Sequence, residues 1–233
     1  MGGRSGVRLF ASALLAALLG FSCASAKGSD GTAFDTAALF GMVYDGENQP
    51  CAGVRLTVDG REGPVSDLRG RFVVPDLARG EHRLVARKDG YEDLAVEFPF
   101  LDRTDVLHLS ITSFDQLLGM AQDALRDGRL GEAEAALARA ERLDPADPVL
   151  RYLFALHAWK AGRYAEAVSH LDRIAGDGGR QPAVLLLLAD LYERHLGDPA
   201  KAIENLEAYL RLRDDPEVRQ RLEALRQRQR AGT

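Results

Sequence analysis

Five histidines, two cysteines and a few adjacent acids are the residues with which this chain could do chemistry, and their spacing joins few of them. His82 and His108 fall in strand-like runs, while His157, His170 and His195 fall in three separate helical segments. No pair has metal-ligand spacing beside a carboxylate or thiol, and no H-E-x-x-H occurs, so zinc chemistry lacks a donor set. Gly176-Asp177-Gly178-Gly179 is glycine-rich but lacks the lysine and hydroxyl residue of a phosphate cradle, and reads as an interhelical turn. The Asp-Gly pairs at Asp45, Asp59 and Asp89 are turn signals without the alternating carboxylates that calcium needs. Asp214-Asp215 precedes Pro216 and reads as a helix cap, not as a general acid–base pair. No nucleophile–base constellation can be assembled, so the chain is expected to be non-catalytic, with no cofactor and no metal.

Stepping N-terminally, Cys23 closes an export-type leader. Arg4 and Arg8 precede the mostly apolar run Leu9–Phe21, which is short for a membrane span, and small residues Ser22–Ala26 follow. Ala24 and Ala26 fit an ordinary A-x-A cleavage signal. Gly20-Phe21-Ser22-Cys23 instead resembles the lipobox of bacterial lipoproteins, with Gly20 where that family usually has Leu. That resemblance implies a lipid on Cys23 and membrane anchoring in the bacterial envelope, periplasmic or surface. Ordinary secretion and an uncleaved anchor are the other readings. Loss of residues 1–22 removes two arginines and leaves 28 basic against 35 acidic residues, a charge of −7. Such a balance argues against a nucleic-acid partner. Cys51 then has no intrachain partner and reads as a semi-buried small residue.

Residues 23–37 read as a flexible tether, after a signal peptide at 1–22. From 38 to 112 short β-type runs alternate with turn signals, as in a sandwich or barrel: Gly41–Tyr44, Val54–Val58, Arg71–Val74, His82–Ala86, Leu94–Phe98 and Val106–Leu109. In order, Gly41-x-Val43-x-Asp45, Pro50-x-x-Gly53-Val54, Ser66-Asp67-x-x-Gly70-x-Phe72, Leu77-x-x-Gly80-x-His82 and Lys88-x-Gly90-Tyr91 resemble the carboxypeptidase regulatory-like domain. The resemblance implies a small prealbumin-like, Greek-key-type sandwich that accompanies enzymes and receptors without catalysis of its own.

Residues 114–229 carry an internal period of 34 residues. Gly128 and Gly162, Ala133 and Ala167, and Leu137 and Leu171 are each separated by it, and Ala202 and Leu206 mark a third copy one residue late. A period of this length marks stacked helical hairpins whose apolar faces are buried only against neighbours. Asp147-Pro148, Asp198-Pro199 and Asp215-Pro216 punctuate helix starts, and Pro182 opens another. The pattern resembles tetratricopeptide repeats at 114–147, 148–181 and 182–215, closed by a capping helix at 216–229. The expected fold class is therefore multidomain β plus α, a sandwich followed by a right-handed helical solenoid with a cap. The Arg-rich end, Arg219 to Arg230, is expected to be a solvated helix face.

The resemblance to tetratricopeptide repeats implies that the fifth, ninth and twelfth positions of each first helix face an inner groove. These are Leu118, Gln122 and Leu125, then Tyr152, Leu156 and Trp159, then Leu186, Asp190 and Glu193. The expected function is a scaffold that binds a protein or peptide there, with Trp159 as the anchor; the competing expectation is that the sandwich or the last helix covers this face. The asparagine-and-lysine pattern of carboxylate-clamping tetratricopeptide domains is absent, since the ninth positions are Gln122, Leu156 and Asp190. A second reading gives the sandwich a glycan, with Tyr44 and Tyr91 as its aromatic candidates, and a third makes the chain an accessory subunit of an enzyme.

Overall fold

The structure is a computed structural model and describes residues 35–176 and 181–231. Among these residues seven strands are followed by seven helices. The strands are β1 (Thr36–Asp45), β2 (Arg55–Val58), β3 (Arg61–Val65), β4 (Arg71–Ala78), β5 (Gly80–Arg87), β6 (Leu94–Phe100) and β7 (Val106–Ile111). They form a three-stranded sheet in the order β4-β1-β7 and a four-stranded sheet in the order β3-β2-β5-β6. All pairings are antiparallel except β1 with β7. Alternation puts Leu39, Val43, Leu56, Leu84, Phe100 and Ile111 fully inside, and the two sheets share one apolar core.

One strand escapes the sequence reading. β3 contains Gly63 and Pro64, which argue against a strand, yet Arg55 pairs with Val65 and Val58 with Arg61 across a bulge. Proline is tolerated because β3 lies at the margin of its sheet, where one row of amides needs no partner. Gly70 sits in the turn before β4 at φ 71°, and a Cβ there would lie 2.4 Å from the Val43 carbonyl oxygen. Only glycine serves both the turn and that close approach.

The helices are α1 (Phe114–Arg126), α2 (Leu130–Glu141), α3 (Pro148–Lys160), α4 (Tyr164–Gly176), α5 (Pro182–Arg194), α6 (Pro199–Leu212) and α7 (Pro216–Ala231). They pack as the hairpins α1/α2, α3/α4 and α5/α6, with α7 against α6. Ala121, Ala133, Ala155, Ala158, Ala167, Ala189 and Ala202 are wholly buried at the contacts, where larger side chains would wedge the helices apart. Helix starts follow the written signals. Asp147 and Asp198 accept the amides of Leu150 and Lys201, and Asp215 accepts those of Glu217 and Val218.

Sandwich and first hairpin meet at Ser113. Its hydroxyl and the Gln116 side chain form a reciprocal capping box, and the same Gln116 oxygen accepts the Gly46 amide. Arg139 of α2 reaches back with two hydrogen bonds to Glu92. Phe34–Thr233 clusters as one compact unit. No helix among the described residues is long and apolar enough to cross a membrane.

Candidate partner-binding face

Tyr152, Leu156 and Trp159 project from one side of α3, at spacings of four and three residues. All three are half-buried, and Tyr152 and Trp159 pack against the core shared by the second and third hairpins. Burial holds the Tyr152 phenol above its ordinary pKa. The indole N–H of Trp159 points at His195 Nε2 across a long 3.5 Å, and His195 stacks on Tyr164 with ring centroids 4.0 Å apart. Trp159 is thus braced on one side and open on another. The open side gives onto a shallow cavity of about 730 Å³ lined by Tyr152, Trp159, Leu186, Leu187, Val218 and Arg221, among others.

The structure sorts the nine expected groove residues into three groups. Tyr152, Trp159 and Leu186 border the same cavity. Leu118 and Leu125, only 9% and 3% exposed, belong to the core of the first hairpin with Leu117, Leu150 and Leu153, so they line no open surface; Leu156 packs half-buried on that core, and Gln122 is exposed outside the cavity. The first-repeat leucines are a correction to the sequence reading. Their helical direction is as expected, but the second hairpin closes over them, and helical phase alone does not report what a neighbour covers.

Asp190 and Glu193 form the third group, because α7 claims them. Arg221 donates to Glu193 at 2.9 Å and to Asp190 at 3.2 Å, while Arg228 donates to Glu193 at 2.8 Å and Arg194 approaches Asp190 at 3.0 Å. Burial would raise the Glu193 pKa, but the hydrogen bonds and charges of Arg221 and Arg228 outweigh it and hold the carboxyl below its usual range. The expected solvated face holds for Arg219, Arg228 and Arg230, which are exposed, whereas Arg221 and Arg226 are half-buried by their ion pairs. Arg219 pairs with Asp214, and Arg226 with Glu207 and Glu223. Val218 and Arg221, which complete the cavity wall, were missed by the repeat frame because the cap lies outside it. The acids at 190 and 193 with arginines at 221 and 228 were the available signal.

Outside this face, the histidines are engaged separately. His157 is buried and bonds the Leu130 carbonyl and Arg163; His170 stacks on Phe154; His82 lies between Asp59 at 2.7 Å and the Ala78 carbonyl at 2.8 Å. No group of three or more His, Cys, Asp or Glu that could hold a metal ion occurs among the described residues. Tyr44 stacks on His108, and Lys88 sits over the Tyr91 ring, so each of these tyrosines has one neighbour already. Asp215 caps α7 and accepts the Tyr209 hydroxyl. Cys51 is buried, with the Lys88 ammonium donating to its sulfur at 3.4 Å. Cys23 and the rest of the leader, and Asp177 to Gly179, lie outside the described residues.

A tetratricopeptide-repeat family model matches residues 124–191, from the end of α1 into α5. No curated protein matches the chain. Among solved structures, the first tetratricopeptide domain of the human RPAP3 protein is 18% identical over 49% of this chain and 90% of its own, with a TM-score of 0.44. The Yersinia enterocolitica type III secretion chaperone SycD, in complex with a peptide of the translocator YopD, is 20% identical over 49% of this chain and 93% of its own, at 0.45. An O-GlcNAc transferase mutant of Thermobaculum terrenum is 23% identical over 48% of this chain and 22% of its own, at 0.43. The C-terminal part of this chain carries tetratricopeptide repeats, preceded by a two-sheet β region.

Proposed function

We propose that this chain is a non-catalytic scaffold of the bacterial cell envelope, tied to the membrane by a lipid on Cys23, that holds a protein or peptide partner against Tyr152, Trp159 and Leu186. The observation that carries the docking reading is the half-buried aromatic pair at the mouth of the cavity between α3, α5 and α7. Aromatic side chains that are braced but not covered are the usual anchors of protein interfaces. The anchoring reading is supported by the basic, apolar and small-residue succession that ends at Cys23.

Trp159 is the only tryptophan and reports on itself. Its emission in the free chain should be quenched by acrylamide and should shift to the blue when a partner captured from envelope extracts binds. Trp159→Ala should weaken that capture roughly thirtyfold, about 2 kcal/mol, with little change in folding. Unquenchable blue emission in the free chain, with a loss of several kcal/mol of stability in Trp159→Ala, would make the residue a core aromatic instead. The anchor has its own test. Mass spectrometry of the mature N-terminus should find diacylglycerol on Cys23, whose two acyl chains suffice for stable anchoring. An unmodified N-terminus at Lys27 overturns it.

A further inference from the structure

The cavity beside Trp159 has two kinds of wall. One is apolar, built by Tyr152 and Trp159 of α3 with Leu186 of α5. The other is charged, with Asp190 from α5 and Asp215, Glu217 and Arg221 from the cap and first turns of α7. Arg221 is already engaged within the fold, by Glu193 at 2.9 Å and Asp190 at 3.2 Å. The Asp215 carboxylate accepts only neutral donors, the Glu217 and Val218 amides and the Tyr209 hydroxyl, and the charge of Arg213 ranks behind these bonds. Glu217 is exposed, and among the described residues neither carboxylate forms a salt bridge. The rim of the cavity is therefore negative beyond what the fold itself neutralises.

An occupant that covers Tyr152 and Trp159 also takes water from Asp215 and Glu217. A carboxylate that loses water without gaining a partner is costly. An acidic segment would add repulsion to that cost, and a purely apolar one would leave it unrelieved. A lysine or arginine side chain meets both walls at once. Its methylene stem lies along the aromatic and leucine side chains while its charged end reaches the carboxylates. The chain as a whole is acidic, net −5, and draws a basic segment from a distance.

We propose that the partner seated against Trp159 is a basic protein segment, whose lysine or arginine side chain covers Tyr152 and Trp159 and pairs with Asp215 and Glu217. This assignment rests on the docking reading of the same face and adds the chemistry that the face selects.

The test titrates the purified chain with two synthetic peptides of equal length and reads Trp159 emission. One peptide alternates arginine with leucine, and the other carries glutamate at each arginine position. The arginine peptide should shift the emission to the blue and bind less tightly as salt is raised, and the glutamate peptide should leave it unchanged. Asp215→Asn/Glu217→Gln removes both charges. Asparagine keeps the helix cap and Glu217 is exposed, so the fold should persist. That variant should bind the arginine peptide about fivefold more weakly. Glu47→Gln/Glu62→Gln, with the same loss of charge at exposed positions of the sandwich, should bind it as the wild type does. Equal binding of the two peptides, an emission that the arginine peptide does not move, or equal affinities in the two double variants would each overturn the proposal. The docking reading is judged separately, by partner capture in Trp159→Ala. Capture lost there but kept in Asp215→Asn/Glu217→Gln would preserve the face and overturn the basic partner alone.

Discussion

At its N-terminal end the helical array leans on the β-sandwich through Arg139, Gln116 and the Ser113 cap, and at its C-terminal end α7 covers it with Val218, Leu222 and Leu225. The sandwich treats its margins differently, with proline and charge on three and neither on β7. The difference follows from the kind of bond each element leaves open. A helix satisfies its own main chain, so only an apolar side-chain face needs a cover. A strand leaves main-chain groups open, and only an obstacle or a partner settles them.

One turn of the sandwich tolerates less than its other turns or those of the array, and this gives the largest expected effects. Gly70 in the sandwich and Gly162 between α3 and α4 have nearly the same backbone, φ 71° and 76°. A methyl group at Gly70 meets the Val43 oxygen at 2.4 Å and the Cys51 nitrogen at 3.0 Å, whereas one at Gly162 meets nothing within 4 Å. Gly70→Ala should therefore cost about 4 kcal/mol, conformational strain plus a clash with fixed backbone, and Gly162→Ala only about 1 kcal/mol. Urea unfolding of the two variants checks the contrast, and equal losses would break it. Removing the array's cover comes next. Leu222 is 4% exposed in α7, and Leu222→Ala should cost about 3 kcal/mol, with Trp159 emission, which reports the array, moving in the same transition.

What was legible in the sequence follows the same division. The helical half announced itself because one period fixed hairpins, small contact residues and caps together, and each Asp-Pro signal falls at an observed helix start. The strands were legible where alternation was clean, and β3 was hidden because Gly63 and Pro64 are penalised everywhere except at a margin. The candidate face was legible as a helical direction. It failed for Leu118 and Leu125, which the second hairpin buries, and for Val218 and Arg221, which reach the cavity from a helix outside the repeat. Both failures concern what lies across from a residue, which local spacing does not encode.

The join between the halves should show a smaller effect. Arg139 holds Glu92 with two charge-assisted hydrogen bonds, and both side chains keep about a quarter to a third of their surface in water, so solvent screening reduces their worth. Arg139→Ala should cost about 1 kcal/mol and, more tellingly, should separate the unfolding of the two halves. Differential scanning calorimetry should then resolve two transitions where the wild type shows one. A single sharp transition in the variant would mean that the Ser113 cap and the Gly46–Gln116 bond suffice to couple them.

The smallest expected effect separates the halves by the sign of their response to pH. In the sandwich, burial lowers the pKa of His82, but the hydrogen bonds to Asp59 and the Ala78 carbonyl and the charges of Asp59 and Glu81 outweigh it, so the folded value lies above the ordinary 6.5. The stability this histidine contributes is therefore complete below the ordinary value and is lost as pH rises through the raised one. In the array, His170 is stacked on Phe154, and burial, the largest influence, holds its pKa below 6.5 despite the charge of Glu166. Its contribution is present above the ordinary value and is lost as pH falls through the lowered one. Acidification across pH 6.5 should thus favour the sandwich through His82 and oppose the array through His170. Urea unfolding on either side of that pH, comparing wild type with His82→Gln and His170→Gln, isolates each contribution as the part of the pH dependence that the variant loses. His82→Gln should lose the part that weakens the protein in alkali, and His170→Gln the part that weakens it in acid. Losses of the same sign in both variants would remove pH from the differences between the two halves.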